Sequence, residues 1–339
     1  MTNSRRTQLD ISYNGTSIME HLTGHTKSWT YTDNLSGQID DLQLVLEDIE
    51  TVWLNSWFPK KGSTITAAIE KQNWSKTNIK TKIGSFEIDE IEGSGPPTEI
   101  TIKALSVPES NSIRGEDKSK AWEKATLKVV AGDIAKANGL KLYYETDDNP
   151  QKDRYEQDNE TDLSFLYKIC SDEGLCLKLS NNSIVILDEA DYESRDSVAT
   201  IYRNNSGDSS IQVINWSAKT TLTETYKACR VENVDSNKKK TIKATFTPPK
   251  SPQVGRTLVV KEDVKSTAEA QKLAKKKLRE ANKNATTLTL NVISEKHLDA
   301  GMTINLKEFG WFDGKYIISQ VIHSQDSVSL QIRRCLEGY

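Results

Sequence analysis

Histidine and cysteine are scarce in this chain, four of each among 339 residues. So few exclude a disulfide-stapled framework and leave little material for a metal centre. Cys170, Cys176, Cys229 and Cys335 read as reduced, small apolar side chains of a protein made in a cytosol. No apolar run approaches the roughly 18 residues that cross a bilayer, and mean hydropathy is -0.60. The start, Met1-Thr-Asn-Ser-Arg-Arg, carries no apolar signal core, so secretion by that route is not expected. An excess of one charge is missing too. The 45 Lys and Arg face 48 Asp and Glu, a net charge of -3, which speaks against a protein that coats DNA.

Catalytic spacings are equally absent. There is no Gly-x-Ser-x-Gly, no Gly-rich loop ending in Lys-Ser/Thr and no His-Glu-x-x-His. Cys170 and Cys176 have no histidine nearby, and His21, His25, His297 and His323 lack a Ser or Cys at a recognisable spacing. Asp147-Asp148-Asn149 lacks the glycine and terminal glutamate of a calcium loop and reads as solvated. Catalytic residues, cofactors and metal ligands are therefore not assigned. Carboxylates are plentiful, so a wall hydrolase with two of them in a cleft stays an alternative.

What is present is repetition. At about 150 residues per domain the length suits two to three domains, and 36% apolar residues suffice for cores. Gly62-Ser-Thr-Ile-Thr66 is echoed by Gly301-Met-Thr-Ile-Asn305. Gly84-Ser-Phe86-Glu-Ile88-Asp-Glu-Ile91 matches Gly314-Lys-Tyr316-Ile-Ile318-Ser-Gln-Val321 in every spacing. Each is followed by an alternating strand, Ile100-Thr-Ile102-Lys-Ala104 and Val328-Ser-Leu330-Gln-Ile332. Apolar residues at every second position are the mark of half-buried antiparallel strands, and the joint match points to a duplicated β unit.

The middle of the chain changes period. Leu127, Val130, Ala131, Ile134 and Ala135 form a helix face that Gly139 closes, and Leu140 to Tyr144 then alternates as a strand. The pattern recurs with Phe165, Leu166, Ile169 and Cys170, then Gly174, then the strand from Leu175 to Leu179. Residues 145–161 between the two units are polar and read as an exposed loop. Later, Ser266-Thr-Ala-Glu269 is a capping box opening a helix that turns Ala270, Leu273, Ala274, Leu278 and Ala281 inward. The fold class expected is α+β, mainly β. Two similar β-barrel-like domains, 1–106 and 195–339, flank an α/β domain at 107–194, entered through Val107-Pro108. A charged hairpin with its tip at 235–240, prolines 248, 249 and 252, and the basic helix interrupt the second β domain near 236–284.

Two stretches are candidate contact surfaces. Trp53, Trp57 and Phe58 lie ahead of Gly62, and tryptophan is enriched in buried interface cores. Lys275, Lys276 and Arg279 crowd the basic helix. Residues 265–283 could bind a phosphate backbone, but Glu269 and Glu280 intervene, and a solvated or protein-contacting face is preferred.

These residues resemble a family. The Gly84–Ile91 strand, Gly95-Pro96-Pro97 and Ile100–Ala104 are similar to the first tube domain of phage late control protein D. So is the run from Ile113-Arg114 through Ala121-Trp122-Glu123 to the helix ending Gly139-Leu140. The segment Asp162-Leu-Ser-Phe165-Leu166 through Asp172-Glu173-Gly174-Leu175 is similar to one shared with the hub part of type VI secretion spike proteins, and Gly314-Lys-Tyr316 to His323 completes the likeness. The resemblance implies a structural baseplate hub of a contractile tail, not an enzyme. In such a hub a homotrimeric ring of tube domains joins the tail tube to the tail spike around an axial channel. Baseplate wedge and tape-measure proteins are further expected neighbours, DNA only a transient cargo, and the virion baseplate the location. No spike needle or lysozyme-like extension is read in the chain, so the resemblance implies that those are separate proteins.

Overall fold

The computed structural model describes residues 4–74, 78–107, 112–207, 210–223, 225–235, 240–249 and 255–339. Pro108, the 236–239 hairpin tip and Pro252 lie outside the described residues. The first third holds β1 (Arg6–Tyr13), β2 (Thr16–Ser17), α1 (Met19–Leu22), β3 (Thr26–Asn34), β4 (Asp41–Glu47), β5 (Thr64–Gln72), β6 (Ile79–Ser94) and β7 (Glu99–Leu105). Alternation sends one side of each strand inward. Leu42, Leu44 and Leu46 of β4 meet Ile100, Ile102 and Ala104 of β7, with Trp29, Ile69, Phe86 and Ile88 in the same core. The sheet curls around this core in the order β3-β4-β7-β6-β5-β1, every pair antiparallel.

The middle third packs α2 (Ser112–Gly115), α3 (Leu127–Ala137) and α4 (Asp162–Asp172) against strands β8 (Asp117–Glu123), β9 (Lys141–Glu145), β10 (Arg154–Thr161), β11 (Cys176–Ser180) and β12 (Ser183–Leu187), and ends in α5 (Glu189–Ser194). Its core takes Leu127, Val130 and Ile134 from α3, Phe165, Leu166 and Ile169 from α4, and Ile184 and Ile186 from β12. Part of the expected loop at 145–161 is strand instead. β10 pairs with β8 and buries Tyr155 and Gln157, so an acidic stretch supplies a ladder wherever every second residue finds cover.

The last third contains β13 (Ala199–Tyr202), β14 (Ile211–Thr220), β15 (Tyr226–Asp235), β16 (Lys240–Phe246), β17 (Arg256–Lys261), α6 (Thr267–Asn282), β18 (Thr286–Ser294), β19 (Thr303–Lys307), β20 (Gly314–Ser324) and β21 (Val328–Arg334). β15 joins β16 and β17 in a separate sheet covered by Ala270, Ala274 and Leu278 of α6. The small unit therefore starts at Tyr226, ahead of the expected interruption. Ser266 accepts from the Glu269 amide at 3.1 Å, but the Glu269 carboxylate takes the Lys265 amide at 2.7 Å, one residue earlier than a standard capping box.

The remaining strands follow the order β14-β18-β21-β20-β19-β13. Set against β3-β4-β7-β6-β5-β1, the two series correspond strand for strand. The register corresponds as well. Ile88 opposes Ala104 and Ile91 opposes Ile102 across a bulge after Ile88; Ile318 opposes Ile332 and Val321 opposes Leu330 across a bulge after Ile318. The Gly62 amide donates to the Ile88 carbonyl at 2.8 Å, and that of Gly301 to Ile318 at 2.8 Å. Gly62, Gly84, Gly301 and Gly314 all sit at positive φ (81°, 125°, 90° and 141°), where a side chain is strained. One element departs: β1 runs antiparallel to β5, whereas β13 runs parallel to β19.

Candidate assembly surface

The two strand sets are joined edge to edge. β20 pairs antiparallel with β3, Gln320 opposite Asn34 through Ser324 opposite Thr30, so one 13-stranded sheet runs through both. Polar groups fix the joint. Gln320 donates to Asn34 Oδ1 at 2.7 Å and accepts from Gln331 at 2.7 Å. Asp33 accepts the Ala300 amide at 2.6 Å and pairs with Lys178 of β11. Lys178 also donates to the Asn34 carbonyl at 2.7 Å and lies 3.3 Å from Asp40, tying the middle domain to the seam. Burial pushes the Asp40 carboxyl up to about 7 against the pull of Lys178. Elsewhere between the two strand sets, buried Lys71 of β5 donates to the carbonyls of Ser294, Glu295 and Lys296 at 2.7, 3.0 and 3.2 Å. Its burial lowers it to about 8.

The outer face of this sheet carries small polar side chains. Thr289 and Gln331 are exposed, while Thr30, Thr32, Gln43, Thr101, Asn291 and Gln320 are half-buried. Asn291 donates to Asn215 Oδ1 at 2.7 Å, and Lys103 pairs with Glu90 at 3.0 Å. Among the strand edges left open in the described residues, two belong to the matched strand series. β14 pairs only with β18, and β6 beyond Ile88 pairs only with β7.

The aromatic candidates divide. Trp53 is buried in the first core, whereas Trp57 and Phe58 are exposed together with Ile49 and Leu54 on the β4–β5 loop. Asp48 accepts the Trp53 and Leu54 amides at 3.0 and 2.7 Å and holds that loop in shape. Beneath it a crevice of about 330 Å³ is walled by Trp53, Trp57, Phe58, Ile18 and Ile88.

The basic candidates are mostly engaged within the chain. Lys276 reaches Asp148 at 2.5 Å and Glu173 at 3.3 Å, and Lys272 reaches Asp148 at 2.6 Å. Arg279 pairs with Glu193 at 2.7 Å, while Lys275 remains exposed. Asp148, within the Asp147-Asp148-Asn149 stretch, is thus a docking point for α6. Glu193 and Glu189 of α5 also clasp buried Arg333 of β21, Glu189 at 2.6 Å, and Cys176 donates to Glu189 at 3.0 Å. Sequence reading missed this cluster, because an acidic helical turn and a strand arginine each look solvated alone.

His297, Asp299 and His323 come together behind the joint, with His297 Nε2 2.8 Å from Asp299. The two imidazoles stack within 6° of parallel, centroids 4.9 Å apart. His297 Nε2 is engaged by Asp299, and His323 Nε2 by the Leu298 carbonyl. As arranged, the rings serve packing: His323 also stacks on Tyr31 and contacts the Leu298 carbonyl at 3.0 Å.

No family model matches the chain. A probable baseplate hub protein of Escherichia phage 186 is 25% identical over 180 residues, 52% of this chain and 44% of the relative. The matched stretch thus spans less than half of that relative. The 43 kDa tail protein of prophage MuSo2 from Shewanella oneidensis superposes with a TM-score of 0.73 at 16% identity, over 97% of this chain and 98% of its own. A type VI secretion component of Escherichia coli, described as structurally similar to T4 tail proteins, superposes with a TM-score of 0.57 at 12% identity, over 98% and 78% of the two chains. In sequence the chain is akin to phage baseplate hub proteins, and its fold is the one found in phage tail proteins and in that secretion component.

Proposed function

We propose that the chain is a structural baseplate hub subunit of a contractile tail or tail-like particle. Three copies form a ring between a sixfold tube and a threefold spike. The observation that carries this reading is the matched strand order and register of β3-β4-β7-β6-β5 and β14-β18-β21-β20-β19 within one polypeptide. Three chains with two such units each offer six similar surfaces to a sixfold partner while staying threefold toward the other. Closed assemblies require repeated, matched contacts of this kind.

The polar outer face, with Thr30, Thr32, Gln43, Thr101, Thr289 and Gln331, lines the axial channel in this arrangement. Hydroxyls and amides offer a passing polymer neither a sticky apolar wall nor a concentrated charge. Tail tube and tail spike are the direct partners, wedge and tape-measure proteins are neighbours, DNA is transient cargo, and the baseplate is the location. Electron microscopy of the purified chain, alone and with a trimeric tail spike protein, tests the reading. A threefold ring with a central hole is expected, and a compact monomer in both preparations would overturn it.

A further inference from the structure

We propose that the open edge of β14 adds, antiparallel, to the Glu90–Ser94 end of β6 in a second copy of this chain, repeating between molecules the joint that β3 and β20 make within one. The correspondence of strands dictates the partners. Trp29 opposes Leu44 as Trp216 opposes Leu290, and Tyr31 opposes Leu42 as Ala218 opposes Leu288. Both strands slip register one step earlier, between Thr26 and Ser28 and between Val213 and Asn215. β14 is therefore the counterpart of β3, and Glu90–Ser94 that of Gln320–Ser324. Within the chain the second pair of segments is occupied and the first is open. An uncovered strand edge is a template for one more strand.

Three observations select a second copy as the occupant. Carrying the β3–β20 register across places Glu92 opposite Lys219 and Glu90 opposite Thr221, so one carboxylate meets one ammonium across the joint. Leu35, just past β3, is 3% exposed and its amide donates to the Ser319 carbonyl at 3.0 Å; its counterpart just past β14, Leu222, is 67% exposed. Finally, the 295–302 segment, which braces the internal joint through Ala300 and the Lys71-binding carbonyls, corresponds to the β4–β5 loop. That loop presents Ile49, Leu54, Trp57 and Phe58 to solvent, and a methyl of Leu54 lies beside Gly93 of the open edge. Leu54 of this exposed apolar loop thus flanks the strand end that the second copy would meet.

The proposal rests on the hub reading for the number of copies that close the ring; the pairing itself can be tested apart from it. Glu92→Cys and Lys219→Cys are introduced together into the full chain, each single variant and the parent serving as controls. Oxidation is followed by denaturing gels without reductant and by native mass measurement. Cross-linking in the double variant alone, ending at a covalent trimer, is the expected result. A trimer by mass without the cross-link would overturn the pairing and leave the hub reading intact. Cross-linked ladders beyond three chains would keep the pairing and overturn the closed ring. A monomer without cross-link at high concentration would overturn the pairing. Independently, Glu92→Lys and Lys219→Glu should each weaken association roughly threefold to tenfold per joint, and together restore it. Equal loss in the singles and the double would contradict the predicted register.

Discussion

Lys71 Nζ lies 2.7 Å from the carbonyl oxygen of Ser294, although the two residues belong to different β units. One ammonium closes three buried or half-buried carbonyls, so its loss leaves acceptors without a donor. Lys71→Met keeps the apolar stem and should lower unfolding stability by about 1–3 kcal/mol. Urea denaturation measures it; a loss below about 0.5 kcal/mol would show that water already serves those carbonyls.

Arg333 is buried between Glu189 and Glu193. Burial alone would raise the Glu189 carboxyl, yet Arg333 and then Lys283 hold it below its usual range. Arg333→Met leaves Glu193 with Arg279 and Glu189 with Lys283 as their remaining cationic partners, and should cost about 2–3 kcal/mol. Adding Glu189→Gln should recover a measurable part of that loss in thermal denaturation, because one of the two under-compensated charges is then gone.

His323 yields a pH dependence. Burial foremost, with the charges of His297 and Lys71, pushes it down to about 3. The unfolded chain binds its proton near pH 6.5, so between those values the unfolded state holds more protons and stability falls as pH drops. The contribution is fully present above 6.5 and amounts to about 2 kcal/mol lost by pH 5. His323→Gln should flatten that acid slope in denaturation curves taken from pH 7 to 4.

The lysines of α6 should separate in their effects. Lys276→Glu faces Asp148 and Glu173 and should loosen the helix from the middle domain, seen as faster amide exchange in both. Lys275→Glu, at an exposed position, should leave exchange unchanged. If residues 265–283 bound DNA instead, both changes would weaken salt-dependent DNA retardation alike.

The strand repeats were legible because their signals are local: alternation and a glycine at positive φ are written in consecutive residues. The likeness of β3 and β14 was not, since beyond the shared tryptophans, Trp29 and Trp216, little in their residues corresponds. The joint was hidden for another reason. Asn34 and Gln320 are 286 positions apart, and nothing in either neighbourhood names the other. The basic helix looked like a free surface for the same reason, because Lys276 finds Glu173 at a separation of 103 residues. Trp53, Trp57 and Phe58 stood out by type, but only the fold divides a core residue from two exposed ones.

The β3–β20 ladder is made by one polypeptide, so its two strands meet at the effective concentration of tethered segments and dilution does not part them. Only the contacts left to separate molecules sense how much protein a cell has made. Fusing two units into one chain therefore halves the number of joints that any ring built from them must form between separate molecules. It also fixes their alternation, since no chain can supply one unit without the other.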